Sequence, residues 1–109
     1  MADTKFNLKE GSINFWIEKH KVEFADNKIT PMFQTNSPEG SLFMVKDNDN
    51  KLKFFHGYLD RGRTDVEYDV SGLDPNKRHM FTITWSMKNK EIIMYVDTKK
   101  VASATIAYD

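Results

Sequence analysis

Apolar and polar residues alternate along most of the chain. The run Gly11–Glu18 places Ile13, Phe15 and Ile17 on one face and leaves Trp16 on the other. Because successive side chains of a β-strand point to opposite faces, this period of two predicts a strand with one buried face. No window of the sequence has the 3.6-residue period of a long helix. We therefore expect Ile13, Phe15 and Ile17 to lie in a core.

The same alternation recurs in short segments separated by turn-forming residues. The further predicted strands lie around Phe6 and Leu8, around Phe33 after Pro31, and over Ser41–Lys46, Lys51–Tyr58, Val66–Val70, Phe81–Trp85, Ile92–Val96 and Val101–Ile106. The predicted turns and loops are Lys19–Lys28, Ser37–Gly40, Asp47–Asn50, Asp60–Asp65, Leu73–Lys77 and Asp97–Lys100. Many short strands with turns between them predict an all-β sandwich or barrel. The pattern alone leaves jelly-roll, immunoglobulin-like and barrel topologies open.

Composition limits the class of protein. The chain has 109 residues, which suits one domain, and it has no Cys, which excludes disulfides and thiolate metal sites. Its 16 basic and 16 acidic residues give a formal net charge of +0. A neutral chain has no long-range field toward DNA, RNA or an anionic membrane, so we expect neither nucleic acid nor membrane as a partner.

The sequence leaves the cellular location unknown. Residues Met1–Lys5 have no apolar stretch typical of a signal peptide, and no apolar run approaches the length of a membrane span. We expect either a cytoplasmic protein or an excised domain of an exported one.

Three segments together carry a family resemblance. Gly11–Ile17 resembles a "G-x-I-x-F-W-hydrophobic" strand, Arg78–Trp85 resembles a "W-H-x-hydrophobic-x-hydrophobic-T-W" strand, and Met94–Lys99 resembles an "L-Y-V-D-G-K" hairpin. These are motifs of laminin-G-like domains, in the concanavalin A-like lectin and glucanase superfamily, and they occur here in the family's order. The resemblance implies an antiparallel jelly-roll β-sandwich, with residues 1–109 as a single laminin-G-like domain that binds a glycan or a protein.

The chain departs from the family pattern at three places. Arg78 stands where the family usually has Trp. Thr98 replaces the hairpin Gly, and because Thr resists positive φ we expect a different turn type. Family members continue with closing strands beyond the position of Asp109. We therefore expect open strand edges, through which the protein forms a homo-oligomer.

Paired carboxylates raise the possibility of a glycoside hydrolase. Glu67 and Asp69 fall on one strand face, and the glucanases of this superfamily carry an "E-x-D-x-E" or "E-x-D-x-x-E" strand. Val70, Ser71 and Gly72 follow Asp69, so the third acid is absent. We expect a solvated strand face here and no enzyme.

The oxygen-rich segment Asp47–Asn50 suggests calcium, but the Gly and distant Glu of an EF-hand loop are missing. A hairpin turn explains it better. We expect no cofactor, and Asp47 and Asp49 are the weak candidates should Ca²⁺ bind. The spacing of His20, His56 and His79 gathers no metal site.

Two sets of residues are candidates for ligand binding. Trp16, opposite the core-facing side chains, is either a stacking platform for a sugar ring or a packing residue, and packing is favoured. The second set clusters around one strand end, where planar donors and a phenol favour recognition, although an ordinary solvated loop explains it slightly better. Its members are His56, Tyr58, Asp60, Arg61 and Arg63.

The sequence therefore favours a non-enzymatic recognition module that binds a glycan or a protein through a sheet face or rim loops. The alternative is a structural protein that assembles through open strand edges. A glucanase-like hydrolase is a distant third.

Overall fold

The computed structural model describes residues 8–58 and 60–108. Within that part of the chain all regular secondary structure is β-strand. The strands are β1 (Glu10–Ile17), β2 (Thr30–Asn36), β3 (Gly40–Lys46), β4 (Lys51–Tyr58), β5 (Gly62–Asp69), β6 (His79–Ser86), β7 (Glu91–Val96) and β8 (Lys99–Thr105).

The strands form two four-stranded antiparallel sheets. The first sheet has the order β1-β6-β7-β8 and the second has the order β2-β3-β4-β5. The two sheets pack face to face. Between them the ring of Phe54 from β4 stacks on the ring of Trp85 from β6, with the ring centroids 5.9 Å apart. Fully burying an aromatic side chain contributes about 1.5–3 kcal/mol, so this pair is a main support of the core.

The central strand of the first sheet confirms the alternation predicted from sequence. Phe81 and Ile83 are fully buried and Trp85 is nearly so. Strand β1 pairs with β6 so that Ile13 lies opposite Ile83 and Phe15 opposite Phe81. The expected burial of β1 is only partly right, since Ile17 is buried but Ile13 and Phe15 are half-buried. The reason is that β1 is an outer strand of its sheet, so fewer neighbouring side chains cover its inward face.

Two predicted boundaries were wrong. The segment Asp60–Asp65 was expected to be a loop, but β5 begins at Gly62. Thr64 and Val66 are both buried on the core side, so the strand pattern continues from Val66 back toward Gly62. Leu8 is buried but not in a strand, and Phe6 lies outside the described residues. Pro31 does lie in an outer strand, β2, as predicted.

The β7–β8 turn was also predicted wrongly. Asp97 has φ 51° and Thr98 has φ 72°, so both turn residues are left-handed, as in a type I′ turn. A two-residue connection must match the right-handed twist of its strands, and this requirement prevails over the local preference of Thr. The strain of a left-handed β-branched residue is about 1–2 kcal/mol.

Candidate functional site

Trp16 lies on the outer face of the first sheet and is 49% exposed. The expectation that it is a packing residue is therefore wrong. Its neighbours Phe15 and Ile17 point into the sandwich, so the pleat turns Trp16 outward. Among the described residues, the exposed large hydrophobic side chains are Trp16 and Ile29. About half of this side chain is therefore open to solvent.

Arg78 covers part of the Trp16 ring. Its guanidinium carbon lies 4.0 Å from the ring centroid. Nη2 of Arg78 donates to Oε2 of Glu18 at 3.0 Å, which fixes the guanidinium above the ring. A cation over an exposed indole contributes about 0.5–1 kcal/mol. Arg78 thus forms a stacked pair with Trp16.

Apart from Lys100, the two central rows of the outer face carry uncharged side chains. Strand register sets Asn14 beside Thr82 and Thr82 beside Tyr95. Oγ1 of Thr82 donates to Oδ1 of Asn14 at 3.4 Å, which confirms that the two share a face. We call the two central rows of this face the neutral band. Its members are Ser12, Thr84, Ile93 and Ser103 in one row, and Asn14, Thr82 and Tyr95 in the other.

A second candidate site lies where β4 ends and β5 begins. Two adjoining cavities, of about 380 and 420 Å³, share Tyr58, Asp60 and Arg61. The guanidinium of Arg61 lies 4.7 Å from the centroid of the Tyr58 ring, and its Nε is 4.0 Å from Oδ1 of Asp60. Tyr58 itself is only 7% exposed. The cavities therefore present the guanidinium rather than the phenol ring.

Arg63 lines one of these cavities but is held by other contacts. Its Nε lies 2.9 Å from Oδ1 of Asp65, and its guanidinium lies 4.7 Å from the centroid of the Phe55 ring. The structure thus brings Tyr58, Asp60, Arg61 and Arg63 together, as sequence proximity suggested.

His56 packs edge-on against Tyr58, with ring centroids 5.7 Å apart, but it is fully buried and lines neither cavity. It alternates with the outward-facing Phe55, so the pleat directs it into the sandwich. Its Nε2 lies 2.7 Å from the carbonyl oxygen of Leu8, and its Nδ1 lies 2.9 Å from Oη of Tyr108. A carbonyl can only accept, so Nε2 carries the hydrogen. Burial lowers the pKa of His56, which favours the neutral ring. A surface ligand contact by His56 is therefore excluded.

His79 is held by groups that accept hydrogen bonds from both ring nitrogens. Nδ1 lies 2.7 Å from Oδ2 of Asp97, and Nε2 lies 2.8 Å from the carbonyl oxygen of Asp74. Burial disfavours the charged ring, but these hydrogen bonds outweigh it and raise the pKa of His79. Sequence reasoning missed this pairing, because the two residues meet only when β6 pairs with β7.

Lys46 is a second buried group that sequence reasoning missed. It is fully buried, and its Nζ donates to Oδ1 of Asp26 at 2.7 Å and to the carbonyl oxygen of Lys28 at 2.5 Å. Its position in phase with Leu42 and Met44 was a signal for an inward side chain. The pair ties the Lys19–Lys28 loop to β3 and has a structural role.

The acidic residues considered for catalysis or calcium have other contacts. Oδ2 of Asp47 and Oδ2 of Asp49 each lie 3.1 Å from Nζ of Lys53. Glu67 and Asp69 are exposed on the outer face of β5, as predicted. In the described part of the chain, no group of three or more His, Cys, Asp or Glu is placed to hold a metal ion. No helix within residues 8–58 and 60–108 is long and apolar enough to cross a membrane.

Comparisons with known proteins give one structural likeness. No protein-family model matches the chain, and no curated protein matches it. A solved structure titled "Crystal structure of botulinum neurotoxin serotype D binding domain" matches with a TM-score of 0.69 at 17% identity. The match covers 94% of this chain and 27% of that chain, so this protein spans about a quarter of that structure. The chain therefore shares an all-β, two-sheet fold with part of that binding domain.

Proposed function

We propose that this protein is a non-enzymatic recognition module that binds a glycan on the outer face of its first sheet. The observation that carries the proposal is the exposure of Trp16, at 49%, at the end of the neutral band. An aromatic ring offers a flat apolar surface to the C–H face of a sugar ring. Arg78 covers part of the Trp16 ring, so a sugar would stack on the part that stays exposed and gain apolar contact there.

The neutral band supplies the polar half of such a site. Its hydroxyl and amide groups both donate and accept hydrogen bonds, as sugar hydroxyls also do. Adjacent strands are about 4.8 Å apart and residues rise about 3.4 Å along a strand, so Trp16 and Tyr95 lie roughly 12 Å apart at their Cα atoms. A glycan of several units fits between these two rings more closely than a single sugar does.

The structural likeness supports recognition rather than catalysis. The matched structure is titled a binding domain. Together with the three sequence motifs, it supports a jelly-roll sandwich of the concanavalin A-like type as the finer description of this fold.

The chemistry of the paired acids supports the non-enzymatic part of the proposal. A glycosidase general acid needs a raised pKa to stay protonated. Hydrogen bonds from Ser71 lower the pKa of Asp69, which keeps that group ionised. Glu67 is engaged at 3.4 Å by Lys51 on the neighbouring strand. An ionised Asp69 is unsuited to act as the general acid of glycoside hydrolysis, which supports a non-enzymatic role.

A glycan array with the purified chain tests the proposal. We expect saturable binding that Trp16→Ala abolishes and Trp16→Phe partly restores, because the ring and not the indole nitrogen provides the contact. Ile29→Ala is the matched control, since Ile29 is also an exposed hydrophobic residue, at 60%. Far-UV circular dichroism and thermal unfolding establish that each variant is folded. Binding that survives in folded Trp16→Ala rejects the site.

A second candidate function is assembly through strand edges. Ile13 and Phe15 point inward from the outer strand β1 yet stay half-buried. An outer strand has unpaired backbone groups on one side, which favour pairing with another chain. Sedimentation velocity over a wide concentration range tests this candidate. A defined oligomer without glycan binding favours assembly, and a strict monomer at high concentration rejects it.

A further inference from the structure

Three loops meet at the end of the first sheet that carries Trp16. Ile17, the last residue of β1, pairs with His79, the first of β6. The backbone N–H of His20 donates to the carbonyl oxygen of Pro75 at 2.7 Å. The N–H of Asp97 donates to the carbonyl oxygen of Met80 at 2.8 Å. These contacts bring together residues 18–21, 74–78 and 97–100, which are far apart in sequence.

These loops concentrate positive charge on a chain with no net charge. The basic side chains in them, all exposed, are Lys19, Lys21, Lys77, Arg78, Lys99 and Lys100. We call this group the basic rim. The same three segments contain three acidic residues, each with a local partner: Glu18 with Arg78, Asp74 with the N–H of Asn76, and Asp97 with His79. The three segments therefore hold three more basic than acidic residues, and all six basic side chains are exposed.

The rim is continuous with the proposed glycan site. Arg78 stacks on Trp16, and Lys100 pairs in register with Tyr95 at the edge of the neutral band. At the opposite end of the same face, Glu10 and Glu91 flank Ser86.

We propose that the basic rim binds the acidic groups of an anionic polysaccharide while one of its sugar rings stacks on Trp16. This inference rests on the proposed glycan-binding function and names the ligand class. Carboxylate or sulfate groups would pair with the ammonium groups of Lys99 and Lys100, and Arg78 would contribute its planar donors. The neutral band would bind the hydroxyl groups of the same chain.

A polysaccharide suits this surface better than a nucleic acid does. Sites for single-stranded nucleic acid use several aromatic rings on which successive bases stack. In the part of the chain that the structure describes, Trp16 is the single exposed Phe, Tyr or Trp residue. The hydroxyl and amide groups of the neutral band instead match a ligand rich in hydroxyl groups.

Affinity electrophoresis and calorimetry with three probes test the inference: polygalacturonate, dextran sulfate and unmodified dextran. We expect binding to one or both anionic probes, weaker at higher salt because ion pairs with exposed lysines are screened. Lys100→Gln should weaken binding about threefold, and the double variant Lys99→Gln with Lys100→Gln about tenfold. Each lysine that is removed lowers the number of counterions that the polyanion releases on binding. Lys88→Gln is the matched control, since Lys88 is exposed on the β6–β7 turn at the opposite end of the sheet.

The outcomes separate this inference from the function on which it rests. Trp16-dependent binding to neutral glycans alone overturns the anionic ligand and leaves the glycan-binding function in place. Binding to the anionic probes that does not need Trp16 keeps the rim and overturns the Trp16 site. Equal weakening by Lys88→Gln shows a diffuse charge effect and rejects the rim. Tighter binding to a single-stranded oligonucleotide, or to anionic phospholipid vesicles, also rejects it.

Discussion

The carboxylate of Asp97 joins the start of β6 to the turn that follows β7. Its Oδ2 lies 2.7 Å from Nδ1 of His79, and its Oδ1 accepts a hydrogen bond from the N–H of Met80 at 2.9 Å. Since the carboxylate can only accept from Nδ1 and the carbonyl oxygen of Asp74 can only accept from Nε2, both contacts form fully only when both ring nitrogens of His79 carry hydrogens. The favoured state of this contact is therefore an imidazolium–carboxylate pair.

This pair predicts a pH-dependent contribution to stability. The pKa of His79 in the folded protein is raised above its usual 6.5. Its stabilising contribution is therefore complete below about pH 6.5 and is lost as the pH rises through the folded pKa. Urea unfolding of Asp97→Asn, compared with the unmodified chain between pH 5.5 and 8.5, should show that the variant has lost this decline in the free energy of unfolding. An identical pH profile for both proteins would contradict the pairing.

His56 predicts a pH dependence of the opposite sign. Burial lowers the pKa of His56 in the folded protein, so the unfolded chain binds the proton more readily. The free energy of unfolding should therefore fall as the pH drops below about 6.5 toward the folded pKa. His56→Gln should flatten this acid limb while leaving the alkaline decline from His79 unchanged. Urea unfolding of this variant between pH 4.5 and 8.5 measures both limbs, and a steeper acid limb would count against the prediction.

The turn at Thr98 predicts a stabilising substitution. Because Thr98 has φ 72°, replacing it with Gly removes the strain of a left-handed β-branched residue. After the entropic cost of Gly, we expect a gain of about 0.5–1 kcal/mol in the free energy of unfolding. Ser103→Gly in the following strand, β8, is the control and should destabilise by a similar amount, because Ser103 is in extended strand. If Thr98→Gly also destabilises, the I′ geometry is wrong.

The sequence predicted what depends on alternation alone. The inward placement of Phe81, Ile83 and Trp85 follows from a period of two, and so does the outward placement of Trp16. Whether an outward side chain is covered depends on loops folding over it, which periodicity does not encode. The exposure of Trp16 therefore could not be predicted.

The remaining features depend on which strands pair. His56 was grouped with Arg61 and Arg63 because they are close in sequence, although the pleat sends His56 into the core. The basic rim requires β1, β6 and β7 to be neighbours, so its lysines looked dispersed along the chain. Lys46 follows the alternation of the buried residues in its strand, but a lysine is rarely buried without a partner. Its partner, Asp26, is 20 residues away in sequence, so the burial of Lys46 could not be predicted.

Close approach of two backbones predicts a severe effect at Gly40. A Cβ at this position would lie 2.0 Å from the carbonyl oxygen of Gly57 on the neighbouring strand, and backbone there has no room to yield. Gly40→Ala should destabilise by about 3 kcal/mol or more, beyond the usual cost of an overpacked core. Gly72→Ala is the matched control, since a Cβ there meets nothing within 4 Å, and it should be nearly neutral. Thermal unfolding compares the two, and equal melting temperatures would contradict the pairing of β3 with β4.

The buried Lys46 predicts an asymmetry between its two partners. Asp26→Asn leaves a fully buried ammonium without its carboxylate, whereas Lys46→Met removes that ammonium and keeps most of the side-chain volume. An unpaired buried charge is more costly than a well-packed apolar replacement. We therefore expect Asp26→Asn to lower the midpoint of urea unfolding more than Lys46→Met does. The side chain of Asp26 is 28% exposed, so water can hydrate its carboxylate when Lys46→Met removes the ammonium.

The double variant should unfold at a urea concentration close to that of Lys46→Met, because the loss of Asp26 then leaves no buried charge. If the two single effects simply add in the double variant, the two groups do not act as a pair.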